Sequence, residues 1–163
     1  MPDYLTKDAC QLLDADHIAV KHLFVNYARL AASTDEAATR SQRTALARMI
    51  CDEISVHAQI EEEIFYPALR EALGKDADLV DEATAEHQEA KQLIADIRAM
   101  GEADAAMDTL VAELNVAIEH HVKEERDELF PKAKAAPELD LQALGEQLRE
   151  RQQDLQSEAA MPA

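Results

Sequence analysis

The sequence predicts an all-α protein, an up-down-up-down antiparallel four-helix bundle with an additional short C-terminal helix. Three observations carry this prediction. The 163 residues are rich in Ala, Leu, Glu, Gln, Lys and Arg and hold only three Gly and five Pro, a composition that favours helix. No stretch shows the strict apolar–polar alternation of a half-buried strand. Four long segments carry apolar residues at the 3.6-residue rhythm, and the links between them are short, which makes neighbouring helices antiparallel.

The first helix is expected from about Tyr4 to Ala32, with Leu13, His17, Val20, Phe24 and Tyr27 on one stripe. Ser33-Thr34-Asp35 breaks it and supplies an N-cap for the second. That helix runs from about Glu36 to Leu73, with Ile50, Ile54, His57, Glu61, Ile64 and Ala68 on its stripe. Pro67 lacks a backbone donor and is expected to kink or end it, and Gly74 is a natural C-cap. Asp76 or Asp78 starts the third helix, whose stripe is Val80, Ala83, His87, Ala90, Ile94 and Ile97, and Gly101 closes it. The fourth begins near Asp104 and ends near Pro131, with Val111, Leu114, Ile118, His121, Glu125 and Leu129 in line. Residues 1–135 thus form the bundle. Residues 136–163 form a last helix, from Pro137 to about Gln156 with Leu141, Leu144, Leu148 and Leu155 inward, and a frayed tail from Ser157.

Charge narrows the function classes. With 34 Asp plus Glu against 16 Lys plus Arg, the formal charge is −18, which argues against nucleic acid and against docking on anionic membranes. The N-terminal residues lack the basic and apolar regions of a secretory signal, and no segment has the ~18 apolar residues of a membrane span. Cys10 and Cys51 form no metal or redox motif and read as buried thiols of a reduced compartment. A cytoplasmic protein is expected.

The chemistry lies in a frame that occurs twice. His57 is followed by Glu61, Tyr66 and Pro67, and His121 by Glu125, Phe130 and Pro131, at offsets of four, nine and ten residues in both copies. Upstream of each copy comes an acid–histidine pair with a lysine four residues on: Asp16-His17 with Lys21, and Glu86-His87 with Lys91. On a helix, residues four apart lie one above the other, so histidine and carboxylate can aim at one metal ion. A lone histidine on an apolar face is ordinarily a satisfied core residue. Here four core-facing histidines come one per helix, with two core-facing glutamates. Burying two carboxylates uncompensated costs several kcal/mol each, and cations in the core remove that cost. His22, about 140° round the helix from His17, and His120, about 100° from His121, are expected outside the site. Glu62, Glu63, Glu124 and Glu128 read as solvated charges, Asp16 and Glu86 as helix-surface carboxylates that can also orient a histidine, and Tyr66 and Phe130 as packing beside the kinks. Lys91 is expected to snorkel outward or reach a carboxylate.

Four imidazoles and two carboxylates suit two ions, and a mixed nitrogen–oxygen set without thiolate suits iron or manganese better than structural zinc. No histidine has Glu three residues before it, so the Glu-x-x-His pattern of carboxylate-rich di-iron bundles is absent.

The order Asp16-His17, His57 to Glu61 with Tyr66-Pro67, Glu86-His87, and His121 to Glu125 with Phe130-Pro131 resembles the hemerythrin-type cation-binding (HHE) domain over roughly residues 8 to 133. The resemblance implies a four-helix bundle around a non-haem di-iron centre. His17, His57, His87 and His121 would be terminal ligands, and Glu61 and Glu125 would bridge the two irons with an oxo or hydroxo group. It implies O2, peroxide or nitric oxide as small ligand at an open iron position. The oxygen carriers have a second histidine four residues from the first on the third helix; here those positions are Ala83 and Lys91. More exchangeable iron positions make a poorer carrier and a better redox reactor or sensor. The expected function is therefore binding of O2 or a related ligand with a redox or oxygen- or iron-sensing role. The alternative is a di-iron enzyme consuming peroxide or nitric oxide. Metal storage suits a two-ion site poorly, a metal-free structural bundle ranks last, and a protein partner is left open.

Overall fold

The computed structural model describes residues 7–160, and they are helical almost throughout, with no strand among them. The expected first turn of the opening helix, residues 4–6, and the last three residues of the tail lie outside the described residues.

Helix α1 spans Ala9–Ala31, and Asp8 caps its start. The Asp8 carboxylate accepts the Gln11 N–H at 2.9 Å, and the Gln11 side chain accepts the Asp8 N–H at 3.0 Å, a reciprocal capping box. Helix α2 (Glu36–Ile60) is capped by Asp35, as the break at Ser33-Thr34-Asp35 predicts. It does not end at Pro67. A π turn, Glu61–Phe65, carries the rod into α3 (Tyr66–Leu73) with Pro67 in the first turn of α3. Tyr66 N–H donates five residues back to Glu61 O, and this wider turn lets the rod continue past a residue that cannot donate. The inserted residue rotates everything downstream by about 100°. Phe65, Tyr66 and Leu69 consequently occupy the inner face, and the expected Ile64 and Ala68 are only half-buried.

Gly74, at φ 51°, ends α3, and a single 3-10 turn, Gly74–Asp76, leads to α4 (Asp78–Met100). Neither Asp76 nor Asp78 caps α4; Ala77 stands at that position without a side-chain bond. Helix α5 (Ala105–Glu124) starts at the Asp104 cap and passes through a second π turn, Glu125–Leu129, into α6 (Phe130–Ala135). Helix α7 is Leu141–Ala160, so Ser157 to Ala160 continue the helix instead of fraying.

The long helices meet in the cyclic order α1, α2, α4, α5, each packed on two others, and α7 lies against α1, α2 and the first π turn. One end is tied by Arg43, 1% exposed, which donates to Asp108 at 2.7 Å and to Thr39 at 3.0 Å, while Tyr27 donates to the same Asp108 oxygen at 2.6 Å. The hydrophobic core is in two pieces. One contains Leu13, Ile60, Phe65, Leu69, Leu129 and Leu148; the other contains Phe24, Ile50, Ile54, Ile94, Val111 and Leu114. Between them, in sequence on every long helix, stand the histidines: His17 between Leu13 and Val20, His57 between Ile54 and Ile60, His87 between Ala83 and Ala90, and His121 between Leu114 and Leu129.

Candidate metal centre

His17, His57, His87 and His121 are all buried, and Glu61 and Glu125 are 0% exposed. The structure brings all six together. His17, His57 and Glu125 offer ligand atoms within 4.8 Å of one another, and so do Glu61, His87 and His121. The carboxylates reach across both groups: Glu61 Oε1 lies 3.1 Å from His57 Nε2 and 3.2 Å from His87 Nε2, and Glu125 Oε1 lies 3.0 Å from His17 Nε2 and 3.3 Å from His121 Nε2. Each glutamate is thus poised between two clusters, as a bridging group is.

The outer nitrogens decide which way the lone pairs point. A carboxylate only accepts, so the nitrogen facing it must carry the proton. His57 Nδ1–H donates to Asp16 Oδ2 at 3.0 Å, His87 Nδ1–H to Glu62 Oε2 at 3.0 Å, and His121 Nδ1–H to Glu86 Oε1 at 2.9 Å. His17 Nδ1–H faces Asp14 Oδ1 at a longer 3.4 Å. All four Nε2 lone pairs are left pointing inward. His17 and His57 bring theirs to 3.2 Å, and His87 and His121 to 3.1 Å.

Among the described residues, the buried side-chain oxygens without a hydrogen-bond partner are Glu61 Oε1, Glu61 Oε2 and Glu125 Oε1. They lie close to the imidazole nitrogens but not in hydrogen-bond geometry. Carboxylate oxygens and imidazole nitrogens crowded into a buried pocket need positive charge at their focus, which protons on the imidazoles supply when metal is absent and which a metal cation supplies when it takes their place. The donor set therefore fits metal ions, on this chain's own geometry.

The electrostatics agree. Burial disfavours a charged His57, but Glu61 and Asp16 outweigh it and push the imidazole up to about 10. Burial likewise opposes charge on His121, and Glu125, Glu61 and Glu86 hold its pKa well above the usual value. Burial also opposes ionisation of Glu61, yet His57, then Glu125 and His121, keep its carboxyl well below the usual range. A field that draws protons onto imidazoles draws metal cations to the same lone pairs.

Several residues stand elsewhere than expected. Tyr66 does not merely pack beside the bend: its hydroxyl donates to Glu125 Oε2 at 3.1 Å and lies 3.2 Å from His121 Nε2 and 3.3 Å from His87 Nε2. The π turn swings it inward, and only a two-helix offset unknown to the sequence brings it over Glu125. Burial first, then Glu125 and Glu61, raise its pKa well above the ordinary phenol, so it stays protonated. Phe130, at the same place in the second copy, stacks on His17 with ring centroids 6.1 Å apart. Asp16 and Glu86 bind histidines rather than solvent, each across to the next helix and not to its own neighbour in sequence. Glu62 serves His87 and takes the Lys91 ammonium at 2.6 Å. Glu63 and Glu128 are exposed, Glu63 pairing with Arg151, and His22 is exposed as expected. His120 is 64% exposed and contacts Glu86 and Glu124 at 3.1 Å each. Ala83 is buried in the core and Lys91 faces outward, so neither enters the site.

On the face away from Tyr66, a cavity of about 30 Å³ opens beside the histidines, walled by Val20, Ile54, Ala90, Ile94 and Ile118.

The family described as hemerythrin HHE cation binding domain matches residues 8–133. Among solved structures, a hemerythrin HHE cation binding domain-containing protein from Mycobacterium kansasii is similar, with a TM-score of 0.73 and 24% identity over 94% of this chain and 90% of that one. At that identity the likeness concerns the fold. No curated protein matches the sequence.

Proposed function

The chain belongs to the hemerythrin HHE cation-binding domain family, and from that premise we propose that it holds a non-haem di-iron centre and binds O2 or a related small ligand in a redox or oxygen- or iron-sensing role. The ligands in this reading are His17, His57, Glu61, His87, His121 and Glu125. The observation that carries it is the trio of orphaned oxygens on Glu61 and Glu125 facing four inward Nε2 lone pairs. When bound, the two iron ions supply the electrons and the open position for the ligand. The chain supplies the rest. Asp14, Asp16, Glu62 and Glu86 hold the imidazoles in the tautomer that leaves Nε2 free. The cavity of about 30 Å³, largely apolar in its walls, has room for one water-sized guest beside the histidines.

A peroxide- or nitric-oxide-consuming enzyme is the second reading, and Tyr66 favours it. Its protonated hydroxyl lies inside the site, beside His87 and His121, and it can donate a hydrogen bond to a small ligand held there. The reading includes an up-down-up-down four-helix bundle over residues 1–135 with residues 136–163 packed on the same domain, supported by the cyclic order of α1, α2, α4 and α5. Among the described residues no helix is long and apolar enough to cross a membrane, and the −18 charge suits neither nucleic acid nor anionic lipid as partner. A cytoplasmic location is in keeping with the free thiols of Cys10 and Cys51.

Metal analysis and optical spectra of the air-oxidised and reduced protein test this. Two irons per chain with near-ultraviolet bands that bleach on reduction are expected; two zinc ions would redirect the reading. Glu61→Ala or Glu125→Ala should abolish paired iron, and His22→Ala should not. Continuous turnover of added peroxide, against a stoichiometric colour change, separates the enzyme from the binder.

A further inference from the structure

Helix α7 lies beyond the family match at residues 8–133. Its inward stripe is Leu141, Leu144, Leu148 and Leu155, and Gln152 stands on the same stripe between the last two. A helix docked only for stability has an apolar residue there. Gln152 instead donates from Nε2 to both oxygens of Asp16, at 3.1 Å and 3.0 Å, and Asp16 accepts the His57 Nδ1–H.

Every site histidine has such a third partner behind its carboxylate. Arg126 donates to Asp14 at 2.6 Å, Lys91 to Glu62 at 2.6 Å, and His120 lies 3.1 Å from Glu86. The partner of Asp16 differs in kind. A neutral amide orients the Asp16 carboxylate without bringing a positive charge to it, whereas Asp14 and Glu62 each face a cation. A carboxylate behind an imidazole raises its basicity as a ligand. The register is held by Gly145, where a Cβ would meet Lys7 O at 2.5 Å.

We propose that Gln152 is a positioning residue for the cation position formed by His17, His57 and Glu125, so that the C-terminal helix sets the affinity of one of the two ions. This rests on the two-ion reading of the site.

The test is titration of the full-length, metal-free chain with cobalt(II), followed by calorimetry and by the visible bands of the bound ion. The native chain should take two equivalents. In Gln152→Leu one equivalent should weaken about tenfold with its bands altered, and the other should stay within about twofold. Gln152→Glu, which faces Asp16 with a second acceptor, should act on the same equivalent. Arg151→Ala removes an exposed ion pair of α7 without touching Asp16 and should leave both affinities alone, with the thermal melt of each variant reporting docking of the helix. Unchanged affinities in Gln152→Leu would overturn the inference, as would equal weakening of both equivalents shared by Arg151→Ala. A native chain that takes up no cobalt pair sinks the two-ion reading itself, which is a different outcome from these.

Discussion

Nδ1 of each site histidine faces a carboxylate, which leaves the lone pair on Nε2 no direction but inward. The duplication in the sequence is visible at this scale, and so is its divergence. Asp16 holds His57 and Glu86 holds His121 in matching fashion. The first π turn contributes Glu62, which reaches His87 directly; at the corresponding place the second has Arg126, which acts on His17 only through Asp14. Tyr66 and Phe130 break the symmetry again, with one hydroxyl on the His87 side and none on the His17 side. Away from the site, burial with the nearby Asp8 pushes the Cys10 thiol up to about 12, and burial pushes Cys51 up to about 11. At pH 8 the native protein should therefore leave a thiol reagent unreacted and expose two thiols only on unfolding. Because the folded pKa values are raised, the stability these thiols contribute is present below about 9 and lost as pH rises toward 11 and 12. Replacing both by Ala should flatten that alkaline loss in chemical denaturation.

The π turns are the elements that turn two straight rods into a site. Each follows a glutamate of the His-x-x-x-Glu frame, shifts the register by one residue and brings an aromatic ring inward, with Pro67 or Pro131 tolerated just behind. Their wide turns occur where a straight α-helix would have pointed Ile64 and not Phe65 at the core. Helix α7 works differently. It touches the site through one side chain, and its approach to the start of α1 is so close at Gly145 that an added Cβ would force the backbone to shift. Gly145→Ala should cost roughly 1–3 kcal/mol through the shift that the overlap forces. The measurement is urea denaturation. A variant as stable as the native chain would show that α7 slides freely on α1.

Across the whole molecule, a buried layer of imidazoles and carboxylates divides the apolar core in two. Such a layer is stable only with positive charge in it. Two bound ions, each at a hundredfold over its Kd, add about 5 kcal/mol, and chelation should lower Tm by roughly 10 °C or more. The pH slope should differ between the two forms. In the metal-free chain His57 has a pKa raised to about 10, so its contribution is full below the ordinary value of 6.5 and lost as pH rises toward 10. In the loaded chain the ligand imidazoles must be unprotonated, so the metal's increment is lost as pH falls. Melting curves across that range, with and without chelator, should slope in opposite directions; parallel slopes would mean that the metal does not occupy the imidazoles.

The amino-acid order alone determined the helices, the cap at Asp35, the inward stripes of the rods except past Glu61 on the second, and the six residues that meet in the core. It could do so because a 3.6-residue period fixes which face of a helix is apolar, and His17, His57, Glu61, His87, His121 and Glu125 all lie on that face. Only the tertiary structure decided what stands behind and beside those six. Asp16 reaches His57, Glu62 reaches His87, Tyr66 reaches Glu125, and Gln152 reaches Asp16 through the axial offset and rotation of one helix against another, and through one extra residue in a π turn. Neither quantity is written in the period of a single helix; both come from how neighbouring side chains interlock.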